Sequence, residues 1–498
     1  MKKILGISAG FHDAAATVID DRGEILFAGH SERYSKNKND ADIHPAMLDE
    51  LRSHTVNHIA YYENPALKQT RQWFAGQGIE WDKIRLRDVL AQQLGADYAT
   101  RFPHATTSTH NHHLSHAAAG FQTSPYSRAT VVIIDAIGEW DTVSVWAAEY
   151  NQHGQAVYKK LWRQRYPHSI GLFYSAMTKR VGLRPLDEEY ILMGMAAYGR
   201  PAWSDHLRHR YIANEWDMRF KENLHTGISE EYLKGADCYD LAASAQDFTE
   251  DLIYNIMRRA RDFNWSENLV YMGGVALNCL ANRNLGNYFD NIWIMPNPGD
   301  AGSSLGAAAL AYGGRLNWTS PYLGHDMPGP YPTHDLLDEL LANKIVGVAS
   351  GRAEFGPRAL GNRSLLADPR GPEIKDRVNE IKRRQKFRPF APVILEEHVH
   401  DYFEMPKNFD TSPYMQVVAR CRHPEQFPAI IHADGTSRVQ TVPADSASGI
   451  RELLEKWYVL TDCPMLLNTS LNIRGEPMVN DRADADRFEQ LYNVRVCS

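Results

Sequence analysis

His112 and His116 stand four residues apart in the run His112-His113-Leu114-Ser115-His116-Ala117-Ala118-Ala119. On a helix, side chains at i and i+4 lie one above the other, so both imidazoles can converge on one cation without a loop to organise them. Two aspartates extend the set. Asp135 follows the apolar run Val131-Val132-Ile133-Ile134, a buried-strand pattern, and precedes a turn at Gly138 and a second strand from Thr142 to Glu149. Asp300 lies in Pro298-Gly299-Asp300-Ala301-Gly302-Ser303, a glycine-rich bend opening an alanine-rich helix whose N-terminus attracts anions. Two imidazoles with two carboxylates suit a divalent ion with open coordination positions, Fe(II) or Mn(II) ahead of a closed structural zinc.

Beyond residue 334 the chemistry-bearing residues change from histidine and aspartate to arginine and asparagine. Arg352, Arg358 and Arg363 sit among Gly351, Gly356 and Gly361. Guanidinium forks bind phosphate oxygens bidentately, and glycine lets backbone amides approach the same anion. Arg384 and Arg388, in Lys382-Arg383-Arg384-Gln385-Lys386-Phe387-Arg388-Pro389-Phe390, form a second basic cluster, and the aromatic and proline residues around it predict partial burial. Arg438 and a loop Asn468-Thr469-Ser470-Leu471-Asn472 add donors suited to a base edge or sugar hydroxyl. No GxxxxGK[ST] is present, so any nucleotide is held by another geometry.

The elements that must position these groups read as α/β. Ile4–Ser8, Ala14–Ile19 and Glu24–Ala28 predict a β-meander with a turn at Asp20-Asp21-Arg22-Gly23, followed by helices at Pro45–Ser53, Leu67–Phe74 and Arg87–Ala99. Strand patterns return from Ala129 to Leu161, a helix is predicted from Leu241 to Phe263, and a strand at Leu269–Met272 ends at Gly273-Gly274. Sheet, helices and sheet again suggest two related lobes. Residues 315–334 hold four prolines and read as the clearest linker, placing the domain boundary there.

At 498 residues the chain exceeds what one core supports, so two or more domains are expected. A net charge of -7 gives no global footprint for nucleic acid. Five dispersed cysteines form no CxxC, which fits a reducing cytoplasm and excludes a disulfide framework or zinc finger. No apolar run approaches membrane-spanning length, so neither export nor membrane embedding is expected.

The motifs, taken in order, resemble the nodulation and antibiotic O-carbamoyltransferases. They are Gly6-Ile7-Ser8 with His12-Asp13-Ala14-Ala15, Glu32-Arg33-Tyr34 to Lys38, His112 to His116, Gly273-Gly274-Val275-Ala276-Leu277-Asn278, Gly299-Asp300-Ala301-Gly302, Phe355-Gly356-Pro357-Arg358-Ala359-Leu360-Gly361-Asn362-Arg363-Ser364, Phe387-Arg388-Pro389-Phe390-Ala391-Pro392 and Asn468-Thr469-Ser470-Leu471-Asn472. The resemblance runs essentially end to end. It implies a two-lobed actin-like ATPase domain over residues 1–325, similar to the threonylcarbamoyl-transfer proteins, and a YrdC-like domain over residues 335–498. The second would condense carbamoyl phosphate and ATP to carbamoyl-adenylate, and the first would pass the carbamoyl group to an acceptor hydroxyl.

Position by position, the resemblance assigns His112, His116, Asp135 and Asp300 to a metal, Fe(II) or another divalent ion such as Mn or Mg. Lys38, Gly138, Gly273, Gly274 and Asn278 would meet the carbamoyl-adenylate. Arg352, Arg358, Arg363, Arg384, Arg388, Arg438 and Asn468 would bind ATP and carbamoyl phosphate. His12 is the candidate general base, with Asp13 holding its tautomer. One departure concerns Ile191, where family members generally carry lysine; a shorter chain is another, and both leave the acceptor open. A small natural product, sugar or nucleoside hydroxyl is the first expectation. A hydroxymethylated pyrimidine such as 5-hydroxymethylcytosine, in a nucleotide or viral DNA, is the second, and would need a basic cleft from Lys36, Lys38, Lys179, Arg180, Arg184 and Arg200. A carbamoyl-adenylate-dependent modifier of protein or tRNA, a non-enzymatic nucleotide sensor and assembly as a homodimer complete the open readings.

Overall fold

The computed structural model describes residues 2–52 and 54–498, and its N-terminal part is built on two five-stranded sheets of one plan. In the first, β1 (Lys3–Ser8), β2 (Ala15–Asp20) and β3 (Ile25–His30) form an antiparallel meander, and β4 (His58–Tyr61) and β5 (Thr106–Thr109) add in parallel beyond β1. In the second, β6 (Arg128–Gly138), β7 (Asp141–Tyr150) and β8 (Ala156–Arg165) repeat the meander. A separate ribbon of β9 (Ile212–Asn214) and β10 (Arg219–Phe220) intervenes before β11 (Asn268–Met272) and β12 (Asn291–Trp293), which add in parallel beyond β6. The expected pair of related lobes is therefore present as a duplicated mixed sheet.

Between the sheets lie two helices poor in large side chains, His112–Thr123 and Ser303–Tyr312. Their approach is set by glycine. A Cβ on Gly306 would come within 1.8 Å of the Ser115 carbonyl oxygen, and one on Gly6 within 2.0 Å of that of Ser304. Only hydrogen fits at either point, and the resulting stack brings Asp300, one turn before the second helix, beside the first turn of the other.

The C-terminal part carries a six-stranded sheet ordered Gln440–Val442, Ala391–Leu395, Met465–Ser470, Arg363–Ala367, Ile345–Ala349, Val496–Cys497. Both faces are covered. Helices Thr333–Asn343 and Ile450–Thr461 pack through Leu336, Leu453 and Trp457 on one side, and Glu373–Ile381 and Arg482–Tyr492 through Ile374, Val378 and Phe488 on the other.

Several sequence expectations are corrected. Residues 315–334 are not a free linker: Tyr322–Met327 is a strand paired antiparallel with Gly351–Glu354, and Leu323 packs with Ala28 and Phe355. Prolines 321 and 328 flank this strand, where no ladder donor is needed. Asn468 to Ser470 belong to a central strand rather than a loop. The helix expected from Arg87 to Ala99 is Leu86–Leu94, ended by Gly95 at φ 93°, with a short turn of helix at Tyr98–Arg101. The helix from Pro45 ends at Leu51, and the expected end at Ser53 lies outside the described residues. No helix among the described residues is long and apolar enough to cross a membrane.

Candidate functional site

Asn111 caps the helix that begins at His112, its side chain accepting from Leu114 N, which sets His112 and His116 on the inner face of the first turns. Four donor atoms converge there. His112 Nε2 is 3.1 Å from His116 Nε2, 3.2 Å from Asp300 Oδ1 and 3.4 Å from Asp135 Oδ2. His116 Nε2 is 3.2 Å from Asp300 Oδ1 and 4.0 Å from Asp135 Oδ2. All four ligating atoms lie within 4.8 Å of one another, and all four residues are buried. Four ligands at bond lengths of about 2.1 Å around one tetrahedral ion stand about 3.4 Å apart, so spacing and donor chemistry both fit a divalent cation.

Neighbouring groups hold this set in place. Gly274 N–H donates to Asp135 Oδ1 at 3.2 Å, and Gly273 adopts φ 92° where a Cβ would strike Ile134 O. A Cβ on Gly138 would come within 2.4 Å of His112 Cδ2 and 2.7 Å of His113 Cδ2, so this glycine makes room for the imidazoles. His113 itself faces Ser144 Oγ at 2.7 Å and does not join the set. Burial opposes ionisation of Asp300, but His112 and His116 outweigh it and hold the carboxyl well below the usual range; burial opposes the His112 imidazolium, and Asp300 and Asp135 outweigh it.

His12 Nδ1 contacts Asp13 Oδ2 at 2.9 Å, and its Nε2 is 3.7 Å from Asp300 Oδ2. Burial acts to lower its pKa, but the bond to Asp13 and the charges of Asp300 and Asp135 lift it to about 9. His12, His112, Asp135 and Asp300 border one cavity of about 240 Å³, which Phe11, Lys68, Glu139, Leu172, Lys179 and Leu224 also line. Of the six basic residues that a nucleic-acid cleft would need, only Lys179 lines it. Lys36 pairs with Asp484, Lys38 and Arg184 with Asp187, and Arg180 donates to the carbonyls of Tyr232 and Leu233.

A second site lies where the two parts meet. Arg358, Arg384, Arg388 and Arg438 interact with one another and with Tyr190 and Cys279 of the N-terminal part, and none of the four pairs with a carboxylate among the described contacts. Burial lowers the pKa of all four, and adjacent guanidinium groups lower those of Arg358, Arg384 and Arg388 further. Arg438 Nε has no partner among the described residues. Such a cluster is complete only with an anion. Tyr190 joins the halves, with Arg388 4.8 Å and Lys38 5.3 Å from its ring centroid.

Within the cluster Arg384 is partly held, donating to Asn379 Oδ1 at 2.6 Å and Pro389 O at 3.1 Å, and the other expected anion ligands are occupied. Arg352 donates to the carbonyls of Leu26, Leu323 and Gly324. Arg363 is fully buried and donates to those of Asn480, Ser350, Asn362, His325 and Gly351. Asn468 donates to Ala359 O and Gln440 Oε1, and Asn278 exchanges hydrogen bonds with Gln246. These four hold backbone or core polar groups, so of the two arginines in one motif Arg363 ties the fold together and Arg358 faces other guanidinium groups. Sequence reasoning missed Glu63, Lys68, Glu139 and Tyr190, which carry no spacing signal toward the groups they meet.

The structure thus sets a buried cluster of metal-type donors in one half and an arginine cluster without carboxylate partners among the described contacts at the seam. A family model described as Carbamoyltransferase N-terminus matches residues 56–309, and one described as Carbamoyltransferase C-terminus matches residues 337–496. The chain belongs to the carbamoyltransferase family and is a carbamoyltransferase. It is 34% identical to the protein sll1178 of Synechocystis over 98% of this chain and 94% of that one. It is 31% identical to nodulation protein NolNO of Sinorhizobium fredii over 95% of this chain and 76% of that one. Nodulation protein U of the same species is 35% identical over 51% of this chain and 49% of that one. Among solved structures, full-length HypF in its phosphate- and nucleotide-bound form aligns with 14% identity and a TM-score of 0.35, covering 62% of this chain and 55% of that one.

Proposed function

We propose that the chain is an ATP-dependent O-carbamoyltransferase with two half-sites: an actin-like pair of lobes for transfer and a YrdC-like C-terminal part for activation. The observation that carries this reading is the arginine cluster lacking any carboxylate, set at the seam with the half that holds the His112, His116, Asp135 and Asp300 constellation. Carbamoyl phosphate and a triphosphate repel one another, and fixed guanidinium groups oppose that repulsion. Arg358, Arg384, Arg388 and Arg438 bind and orient these anions while water cleaves carbamoyl phosphate to carbamate and phosphate, and the carbamate oxygen then attacks the α-phosphorus of ATP, breaking its bond to the bridging oxygen so that carbamoyl-adenylate forms and pyrophosphate leaves.

In the cavity, a divalent ion on the His2Asp2 set supplies Lewis acidity toward the adenylate phosphate. The acceptor oxygen bonds to the carbamoyl carbon, the bond from that carbon to the phosphate oxygen breaks, and AMP leaves with the electron pair. His12 Nε2 takes the hydroxyl proton, with Nδ1 held by Asp13. Asp13 first, and then Asp300 and Asp135, raise the His12 pKa; the last two belong to the metal-type set, and a cation held there would offset their share while the bond to Asp13 stayed. The acceptor is a hydroxylated small molecule, sugar or nucleoside; the dispersal of the basic side chains around this cavity disfavours DNA.

The test incubates the full chain with ATP, carbamoyl phosphate and Fe(II) or Mn(II), offering a hydroxylated small-molecule panel, hydroxymethylcytosine nucleotide and hydroxymethylcytosine DNA. Mass spectrometry reads the gain of one carbamoyl group, and pyrophosphate is followed in parallel. His116→Ala is expected to keep pyrophosphate release and lose transfer, and Arg438→Met to lose both. Equal loss of both signals in the two variants contradicts separate half-sites.

A further inference from the structure

The two imidazoles of the metal-type set are not held alike. His116 Nδ1 is buried without a partner among the described residues, whereas His112 Nδ1 faces Glu63 Oε2 at 3.4 Å. A neutral imidazole carries one N–H and one lone pair, and it ligates through the lone pair. A carboxylate only accepts, so Glu63 requires the hydrogen on Nδ1 and leaves Nε2, the atom facing Asp135, Asp300 and His116, with its lone pair outward. Glu63 stands two residues past β4, and Asn64 caps the helix Pro65–Phe74 that follows at once. Its other oxygen, Oε1, accepts from Lys68 Nζ at 2.5 Å, and both side chains are buried. The ammonium of Lys68 keeps the carboxylate charged beside His112 and also stands 5.2 Å from the centroid of Phe11, a half-exposed ring on the same cavity.

We propose that Glu63, held in place by Lys68, is a positioning residue that fixes His112 with Nε2 toward the cation, so that this ligand is oriented before the metal arrives while His116 is oriented by packing alone. The inference rests on the metal reading of His112, His116, Asp135 and Asp300. A pair that served only to stabilise the fold would be replaceable by two apolar side chains with no consequence for the ion.

The experiment measures Co(II) binding to the full chain by calorimetry and by the visible absorption of the bound ion, with thermal melting as the control for folding. Glu63→Leu combined with Lys68→Met exchanges the ion pair for apolar neighbours. It is expected to melt near the wild type and to bind Co(II) 10- to 100-fold more weakly, on the order seen when such partners of metal-bound histidines are removed. Lys68→Met alone, which leaves the carboxylate, is expected to lose much less. Binding by the double variant within threefold of wild type overturns the role of Glu63. Should the double variant not fold, Glu63→Gln carries the same test, and unchanged Co(II) affinity and absorption there overturn it equally. The metal reading fails separately: wild type and His116→Ala would then bind Co(II) alike.

Discussion

Replacing Arg358 by methionine removes one guanidinium from a half-buried cluster that no carboxylate faces among the described residues. Burial, reinforced by Arg438, brings the pKa of Arg358 down from the ordinary guanidinium range to about 9. At about 1.36 kcal/mol per tenfold, that fall amounts to roughly 5 kcal/mol by which the ligand-free fold disfavours the charge. A guanidinium does not give up its proton in a protein, so the unfavourable energy stays in the fold until an anion arrives. Discounting about half for lost stem contacts and water screening leaves a net gain of roughly 2 kcal/mol in the variant, or about 4–8 °C in the melting of a unit of this size. Thermal melting of the full chain with and without saturating ATP reads both signs. The ligand-free variant is expected to melt above the wild type, and ATP, which raises the wild-type transition, is expected to leave the variant unmoved. A variant that melts below wild type and is still stabilised by ATP refutes the anion-site argument and makes Arg358 a structural residue.

Arg363→Met should behave oppositely despite lying five residues away. Five backbone carbonyls lose their donor, and a loss of about 3–5 kcal/mol is expected, seen as a lower urea midpoint that ATP does not restore. Gly138→Ala should weaken Co(II) binding at least about tenfold, because the added methyl meets His112 Cδ2; unchanged affinity would show that the hairpin yields at that point.

The sequence made the two meanders legible because each is written in local apolar runs, but of the strands that complete the sheets only Leu269–Met272 was readable; His58–Tyr61, Thr106–Thr109 and Asn291–Trp293 are three or four residues long and carry too short a pattern. It made His112 and His116 legible because helical spacing is a local signal. Asp135 and Asp300 were reachable only as carboxylates beside glycine-rich turns; what unites them is the close packing allowed by Gly306 and Gly6, a long-range fact. Arg358 and Arg363 look equivalent in composition. They differ in what surrounds them, since Arg363 begins a central strand beneath a ring of carbonyls and Arg358 precedes it facing other guanidinium groups. Glu63 lies 49 residues from His112 and has no pattern linking the two. The proline-rich stretch misled because proline at the ends of a two-stranded ribbon and proline in a tether look the same in one dimension.

That ribbon bears on any attempt to exchange modules between relatives. Tyr322–Met327 lies against β3 and pairs with Gly351–Glu354, and Arg352 crosses it to reach Leu26 O at 2.7 Å. Three stretches of chain, distant in order, share one guanidinium. A chimera spliced anywhere between residues 315 and 354 must therefore inherit all three from one parent, and proteolytic nicking inside the ribbon would leave two halves still riveted together rather than releasing either as an independent catalyst.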